Sequence, residues 1–231
     1  MKNHEELFEE ALAIHKIGDI ELAQHKYKII LKHFPNDAKS LHYYGLSFYQ
    51  KENYNEALTF FNQSIDIDAN EANVFVNRGN TLFLIKDYNN AIKDYDKALL
   101  LNPLFSLVHF NKGTLYLEIE NFLEAKICLE ACLKIDEENH EALINLGIVL
   151  NYLNDNKLSK EKYDKAITLK PDLAEAYSNR GLLNKKIGNI KLAIQDFKYG
   201  LKLNKNYKTC FNNLYSILVQ INDTNSLNLD E

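Results

Sequence analysis

The chain is poor in the residues that punctuate or staple a fold. It has three prolines, eight glycines, three cysteines and no tryptophan in 231 residues. Cys128, Cys132 and Cys210 are too few for a disulfide framework, so a reducing cytoplasm is expected, and Cys128 and Cys132, four apart, are expected to be buried thiols. No apolar run approaches the roughly 18 residues that a membrane-spanning helix needs. The opening MKNHEELFEEALAIH is acidic and amphipathic, without the apolar stretch of a signal peptide. A net charge of −5 argues against nucleic acid, which calls for a clustered basic face. The short runs Lys185–Lys186 and Lys202–Lys205 are expected to be solvated surface.

Catalytic signatures are missing too. No phosphate-binding loop or dinucleotide glycine fingerprint occurs. His140-Glu141 begins like a zinc-protease motif but continues Ala142-Leu143-Ile144, without the second histidine. The histidines are scattered. His15 and His42 could share a face, but no metal site or cofactor is expected, and His109 falls on a packing stripe as a core residue. The aromatics mostly fall in packing columns. The chain alone is therefore not expected to be an enzyme.

What the sequence has is a period. Gly45, Gly79, Gly113, Gly147 and Gly181 follow one another at intervals of 34, five of the eight glycines in one column. Twelve residues after each comes a small residue (Ala57, Ala91, Ala125, Ser159, Ala193), and sixteen after a large apolar one (Phe61, Tyr95, Leu129, Tyr163, Phe197). All three prolines, Pro35, Pro103 and Pro171, occupy a single column. Apolar spacing within a unit is helical, as in Leu41, Tyr44, Gly45 and Phe48, and turn-like clusters such as Lys51–Asn53 and Gly188–Asn189 halve each unit. Each unit thus predicts two antiparallel helices, near 38–51 and 54–67 in the second. One pair cannot bury its apolar face alone, so the units must stack. The glycine is expected to let the partner helix, with its small residue, approach closely.

This pattern resembles the tetratricopeptide repeat. Six units in phase, 4–37, 38–71, 72–105, 106–139, 140–173 and 174–207, are followed by a capping helix at 208–222 and a loose polar tail at 223–231. Departures are local: Ala11 stands in the glycine column, Ser159 in the alanine column, and Ala69, Glu137 and Lys205 in the proline column. The resemblance implies an all-α, right-handed α-solenoid whose first helices line a concave groove that binds peptides or proteins.

A second column lies two residues before the glycine, and holds Tyr43, Asn77, Asn111, Asn145, Asn179 and Asn213. At about 100° per residue it sits roughly 160° away from the glycine, on the opposite side of the first helix. A carboxamide offers one acceptor and two donors, enough to pair with both groups of a peptide unit. One alternative is structural, with each asparagine satisfying a group of the neighbouring helix. The other is a binding row, which resembles the asparagine ladder in the repeat segment of O-linked N-acetylglucosamine transferases. Glu9 and Tyr43 break the row at one end, where Phe8, His42, Leu46 and Tyr49 predict an aromatic, apolar character, and Phe110 joins the candidate groove residues. The carboxylate clamp of chaperone-binding repeats fits Asn80 and Asn111 but then meets Glu141 and Asn145 where cations are needed, so it is disfavoured.

The expected function is a non-catalytic module that holds a protein or an extended peptide. The alternatives are a recognition arm serving a separate enzyme, such as a glycosyltransferase, or a scaffold that self-associates weakly through Phe8 and Leu12 or an imperfect cap.

Overall fold

A computed structural model of the chain describes residues 3–227. Among these residues it contains thirteen α-helices and no strand. They are α1 (His4–Lys16), α2 (Ile20–His33), α3 (Ala38–Gln50), α4 (Tyr54–Ile67), α5 (Ala72–Leu84), α6 (Tyr88–Leu101), α7 (Ser106–Glu118), α8 (Phe122–Ile135), α9 (His140–Tyr152), α10 (Asn156–Leu169), α11 (Ala174–Lys186), α12 (Ile190–Leu203) and α13 (Lys208–Leu227). Odd-numbered helices are the first of each pair and even-numbered ones the second.

Local chemistry fixes the joints. The residue that opens each second helix is always Asp or Asn: Asp19, Asn53, Asp87, Asn121, Asp155 and Asn189. Four of them, Asp19, Asp87, Asn121 and Asp155, accept a hydrogen bond from a first-turn backbone N–H, which satisfies an otherwise orphaned donor. The residue just before this cap always has positive φ. It is glycine at 18 and 188 but Glu52, Lys86, Glu120 and Asn154 elsewhere. Glycine enters that left-handed region without strain and asparagine tolerates it, but glutamate and lysine are strained there. The prolines lie one residue past the C-caps Phe34, Asn102 and Lys170. Helices α4, α8 and α12 stop at the same place without one, so proline reinforces an end that the turn already makes.

Close approach in the glycine column differs in detail from expectation. The group that fills the space is the large residue sixteen further on, and the small one twelve on is secondary. A Cβ at Gly79 would lie 2.8 Å from Tyr95 Cε1, and one at Gly147 only 2.5 Å from Tyr163 Cε1. Those rings have 1% or less of their surface exposed, and the dispersion gained there outweighs glycine's local helix cost of about 1 kcal/mol.

Two compact units divide the chain, one up to Asn111 and one from Lys112, with α7 crossing the division. In the first, α1–α2, α3–α4 and α5–α6 pair, and α1, α3 and α5 also touch one another in turn. Its core includes Phe8, Ala11, Tyr27, Ala57, Phe61 and Val74. Phe8 is therefore a core residue, which removes it as a self-association surface. In the second unit α8 to α13 pack successively, with α9, α11 and α13 in contact through their order. Cys128 and Cys132 are buried, as expected, and Cys210 is buried too. His109 is only half-buried and its Nε2 lies 3.1 Å from the Pro103 carbonyl oxygen, so it is not the expected core histidine.

Helix α13 continues to Leu227, five residues past the predicted end at 222. The stretch Asn222–Leu227 contains neither glycine nor proline to stop it. The rest of the expected tail, 228–231, lies outside the described residues.

The chain's only arginines, Arg78 and Arg180, repeat one motif in separate units. Arg78 donates through Nε and Nη2 to both oxygens of buried Asp94 at 2.7 Å, and through Nη1 to Asn62. Arg180 grips buried Asp196 the same way and reaches Asp164 at 2.7 Å. Each guanidinium joins its own partner helix to the second helix of the preceding pair, a planar fork that lysine cannot copy.

Candidate functional site

The asparagine column lies along the first helices, and its members differ in what they touch. Asn77 Nδ2 lies 2.8 Å from His42 Nε2, from α5 to α3. Asn111 Nδ2 donates to Asn80 Oδ1 at 2.9 Å, from α7 to α5. In the second unit, Asn145 Nδ2 donates to Thr114 Oγ1 at 3.1 Å, from α9 to α7. Three amides therefore tie one first helix to the previous one through side chains.

Asn179 makes no hydrogen bond among the described residues. The place taken by Asn80 and Thr114 in earlier units is Ile148 for Asn179, and an aliphatic side chain cannot accept. Asn213 is the opposite case. Its Nδ2 donates to Thr209 O in its own helix at 2.9 Å, and its Oδ1 accepts from Lys185 Nζ at 3.4 Å.

Asn77, Asn111, Asn145 and Asn179 are all half-buried. None of their amide atoms is both buried and unpaired. Each of the first three keeps its oxygen and one N–H open, and Asn179 keeps its whole amide open. Asn80 is otherwise engaged, because its oxygen also accepts from Tyr95 Oη at 2.8 Å. Both lone pairs are then filled, and Asn80 carries a chain of hydrogen bonds from the core ring to Asn111.

At the aromatic end, Tyr43 packs on the α1–α2 core, stacked on Tyr27 with centroids 6.3 Å apart, and meets Phe8 edge-on at 5.6 Å. Leu46 and Tyr49 pack on the Ala57–Phe61–Val74 cluster, so part of the expected apolar surface is core. Phe110 is half-buried. His15 turns to Tyr27 and Gln50 and His42 to Asn77, so each ring has a partner within the protein. Among the described residues no group of three or more His, Cys, Asp or Glu is placed to hold a metal ion, and no helix is long and apolar enough to cross a membrane.

Phe8, His42 and Tyr43 share a cavity of about 290 Å³ in the first unit with Lys39, Asp68 and Glu71. Burial, with the neighbouring charge of His15 second, pushes His42 down from 6.5 to about 4. The carboxylates lie in the α4–α5 connection. Their one signal in the sequence is that Glu71 stands in the N-cap column of the first helices, where Asn3, Asp37 and Asn139 cap with short side chains. Glu71 makes no such bond.

Family comparison completes the picture. Profiles of the tetratricopeptide repeat match residues 8–72, 72–105, 107–139 and 174–207, and a TPR repeat profile matches 149–188. The chain belongs to the tetratricopeptide repeat family. It is 28% identical over 131 residues to mouse DnaJ homolog subfamily C member 7, an alignment covering 55% of this chain and 26% of that one. The chain spans about a quarter or less of the length of such relatives. Among solved tetratricopeptide-type folds, pilF of Pseudomonas aeruginosa superposes with a TM-score of 0.81 at 18% identity, over 92% of this chain and 97% of that one. YrrB, a TPR protein with an unusual peptide-binding site, superposes with a TM-score of 0.69 at 17% identity, over 80% and 96%.

Proposed function

We propose that the chain is a non-catalytic protein-interaction module that holds an extended peptide against the first helices of its repeats. The observation that carries this reading is Asn179, a half-buried carboxamide on a first helix with no hydrogen-bond partner among the described residues. Asparagine costs about 0.5 kcal/mol of helix propensity there relative to alanine, and no hydrogen bond among the described residues offsets it. The open amide oxygens of Asn77, Asn111 and Asn145 extend the same chemistry, in each unit separately. A carboxamide pairs with a peptide's N–H and C=O together, so such a surface reads backbone before side chains. Three buried cysteines outside any disulfide suit a reducing cytoplasm.

The test begins with a peptide selected from an unbiased library on the wild-type protein. Asn179→Ala should weaken that peptide about tenfold without lowering thermal stability, and methylating the peptide nitrogens one at a time should find positions of similar loss. Equal affinity for Asn179→Ala and indifference to every N-methyl group would refute a backbone-reading surface.

A further inference from the structure

The structure assigns a second element to this surface: we infer that the cavity beside Asn77 receives a basic side chain, arginine in preference to lysine. The inference rests on the peptide-binding reading above and names the kind of residue that follows the backbone contact. Four observations meet there. The cavity, about 290 Å³, is near the lower end of ligand clefts, about 300–1,000 Å³, and so suits a single side chain. Its apolar wall is aromatic, Phe8 and Tyr43 with ring centroids 5.6 Å apart, a surface on which an aliphatic stem packs and a guanidinium stacks.

Its acidic side is uncommitted. Glu71 does no capping, and Asp68 uses one oxygen on the Asn70 N–H at 2.9 Å. These two carboxylates stand against a single exposed ammonium, Lys39.

The fourth observation is His42. It is 7% exposed, and with Asn77 donating to Nε2 its proton resides on Nδ1. Nδ1 has no partner among the described residues and is not sealed away as a buried unpaired atom. A nine-tenths-buried donor lining a cavity is placed for the backbone carbonyl of the residue whose side chain enters. Asn77 then holds the imidazole's orientation and offers its own oxygen to the next peptide unit. The planar fork of arginine matches two carboxylates better than the compact ammonium of lysine.

The experiment titrates N-acetyl-arginine methylamide into the full ¹⁵N-labelled chain and follows the backbone resonances of His42, Glu71 and Asn73. Saturable shifts are expected, with the lysine derivative weaker and the neutral citrulline derivative weaker by about tenfold. Glu71→Gln, which breaks no capping bond, should reproduce that loss with an unchanged melting temperature, and adding Asp68→Asn should deepen it. Equal binding of citrulline, no saturation with arginine, or tighter binding of N-acetyl-glutamate methylamide would overturn the inference. The last outcome would mark an anion site at Lys39 and the α5 N-terminus. Because these probes are single residues, their result is independent of Asn179. A flat arginine titration with an intact Asn179→Ala effect refutes the pocket alone, and the reverse result refutes the ladder alone.

Discussion

Asn77 and His42 share one hydrogen bond, Nδ2 to Nε2 at 2.8 Å, across two helices 35 residues apart in sequence. Burial disfavours the charged form of this imidazole, the neighbouring charge of His15 adds to that, and the contact presents a donor to its acceptor nitrogen. The folded pKa of His42 is about 4 against an ordinary 6.5, so the unfolded chain binds the extra proton between those values. Stability is then complete above about pH 6.5 and is lost as pH falls toward about 4. The loss at pH 5 is on the order of 2 kcal/mol. Urea melts of wild type and His42→Gln between pH 7 and pH 5 check this. The variant's curve should be flatter across the window, and parallel curves would show that His42 does not titrate as argued. Asp164 contributes only lower down. Burial raises it, but hydrogen bonds and charge from Lys160 and Arg180 outweigh that and hold it below 3.8.

The asparagines should separate into classes on replacement by alanine. Asn111→Ala loses an interhelical bond of about 0.5–1.5 kcal/mol and regains about 0.5 in propensity. Its expected net cost is up to about 1 kcal/mol. Asn77→Ala should cost more, because it leaves the buried Nε2 of His42 unpaired. Asn179→Ala, with nothing to lose internally, should be neutral or stabilised by about 0.5 kcal/mol. Thermal melts of the three single variants decide it. If Asn179→Ala falls with the others, that amide has a structural role too.

Turn residues offer a test with the opposite sign. Glu52, Lys86 and Glu120 hold φ of 60, 65 and 59°, where the equivalent Gly18 and Gly188 sit at 88 and 83°. Left-handed backbone costs a non-glycine residue roughly 1–2 kcal/mol, and glycine gives back part of that gain, about 0.4–1 kcal/mol, to unfolded-state entropy. Glu52→Gly, Lys86→Gly and Glu120→Gly should each stabilise by about 0.5 kcal/mol. Gly188→Lys should destabilise by about 1 kcal/mol, and Asn154→Gly should change little, since asparagine tolerates this region. A loss of stability in all three glycine variants would show that those side chains make contributions beyond the turn.

The sequence read most clearly where one residue type recurs for a local reason. Glycine, aromatic and proline columns each reflect a single pairwise contact or helix end, so the period of 34 exposed the helix pairs and even the register of α3 and α4. The aspartate and asparagine caps were as regular but mixed two letters. The left-handed position was hidden because four different residues fill it. The candidate site was legible as a column and not as a set of contacts. Nothing in the column distinguishes Asn111, held by Asn80, from Asn179, for which the equivalent position is Ile148, because the partner comes from the previous repeat. The cavity was hidden for the same reason. Glu71 and Asp68 sit in a connection without periodicity, and only folding brings them to Phe8 and His42.

The tightest contact in the glycine column gives the sharpest packing prediction. A Cβ at Gly147 would lie 2.5 Å from Tyr163 Cε1 and 2.8 Å from both Cδ1 and Cζ. Gly147→Ala gains about 1 kcal/mol in helix propensity but forces a ring that is 1% exposed to move. Overpacking costs typically about 1–3 kcal/mol, so the net is a destabilisation of up to about 2 kcal/mol. That a methyl can be accommodated is evident in the first pair, where Ala11 and Tyr27 are both fully buried in one cluster. At Gly147 the nearest atoms are all in the Tyr163 ring, so the ring is the group that has to give way. Tyr163→Leu should then cost less in the Gly147→Ala background than in wild type, because the smaller side chain leaves room for the added methyl. The two changes should couple by about 0.5–3 kcal/mol in a double-mutant cycle read by urea unfolding. Strict additivity would mean that the glycine is required by the helix backbones themselves, as between Gly45 and the Ala57 carbonyl oxygen, where a Cβ would lie at 3.2 Å.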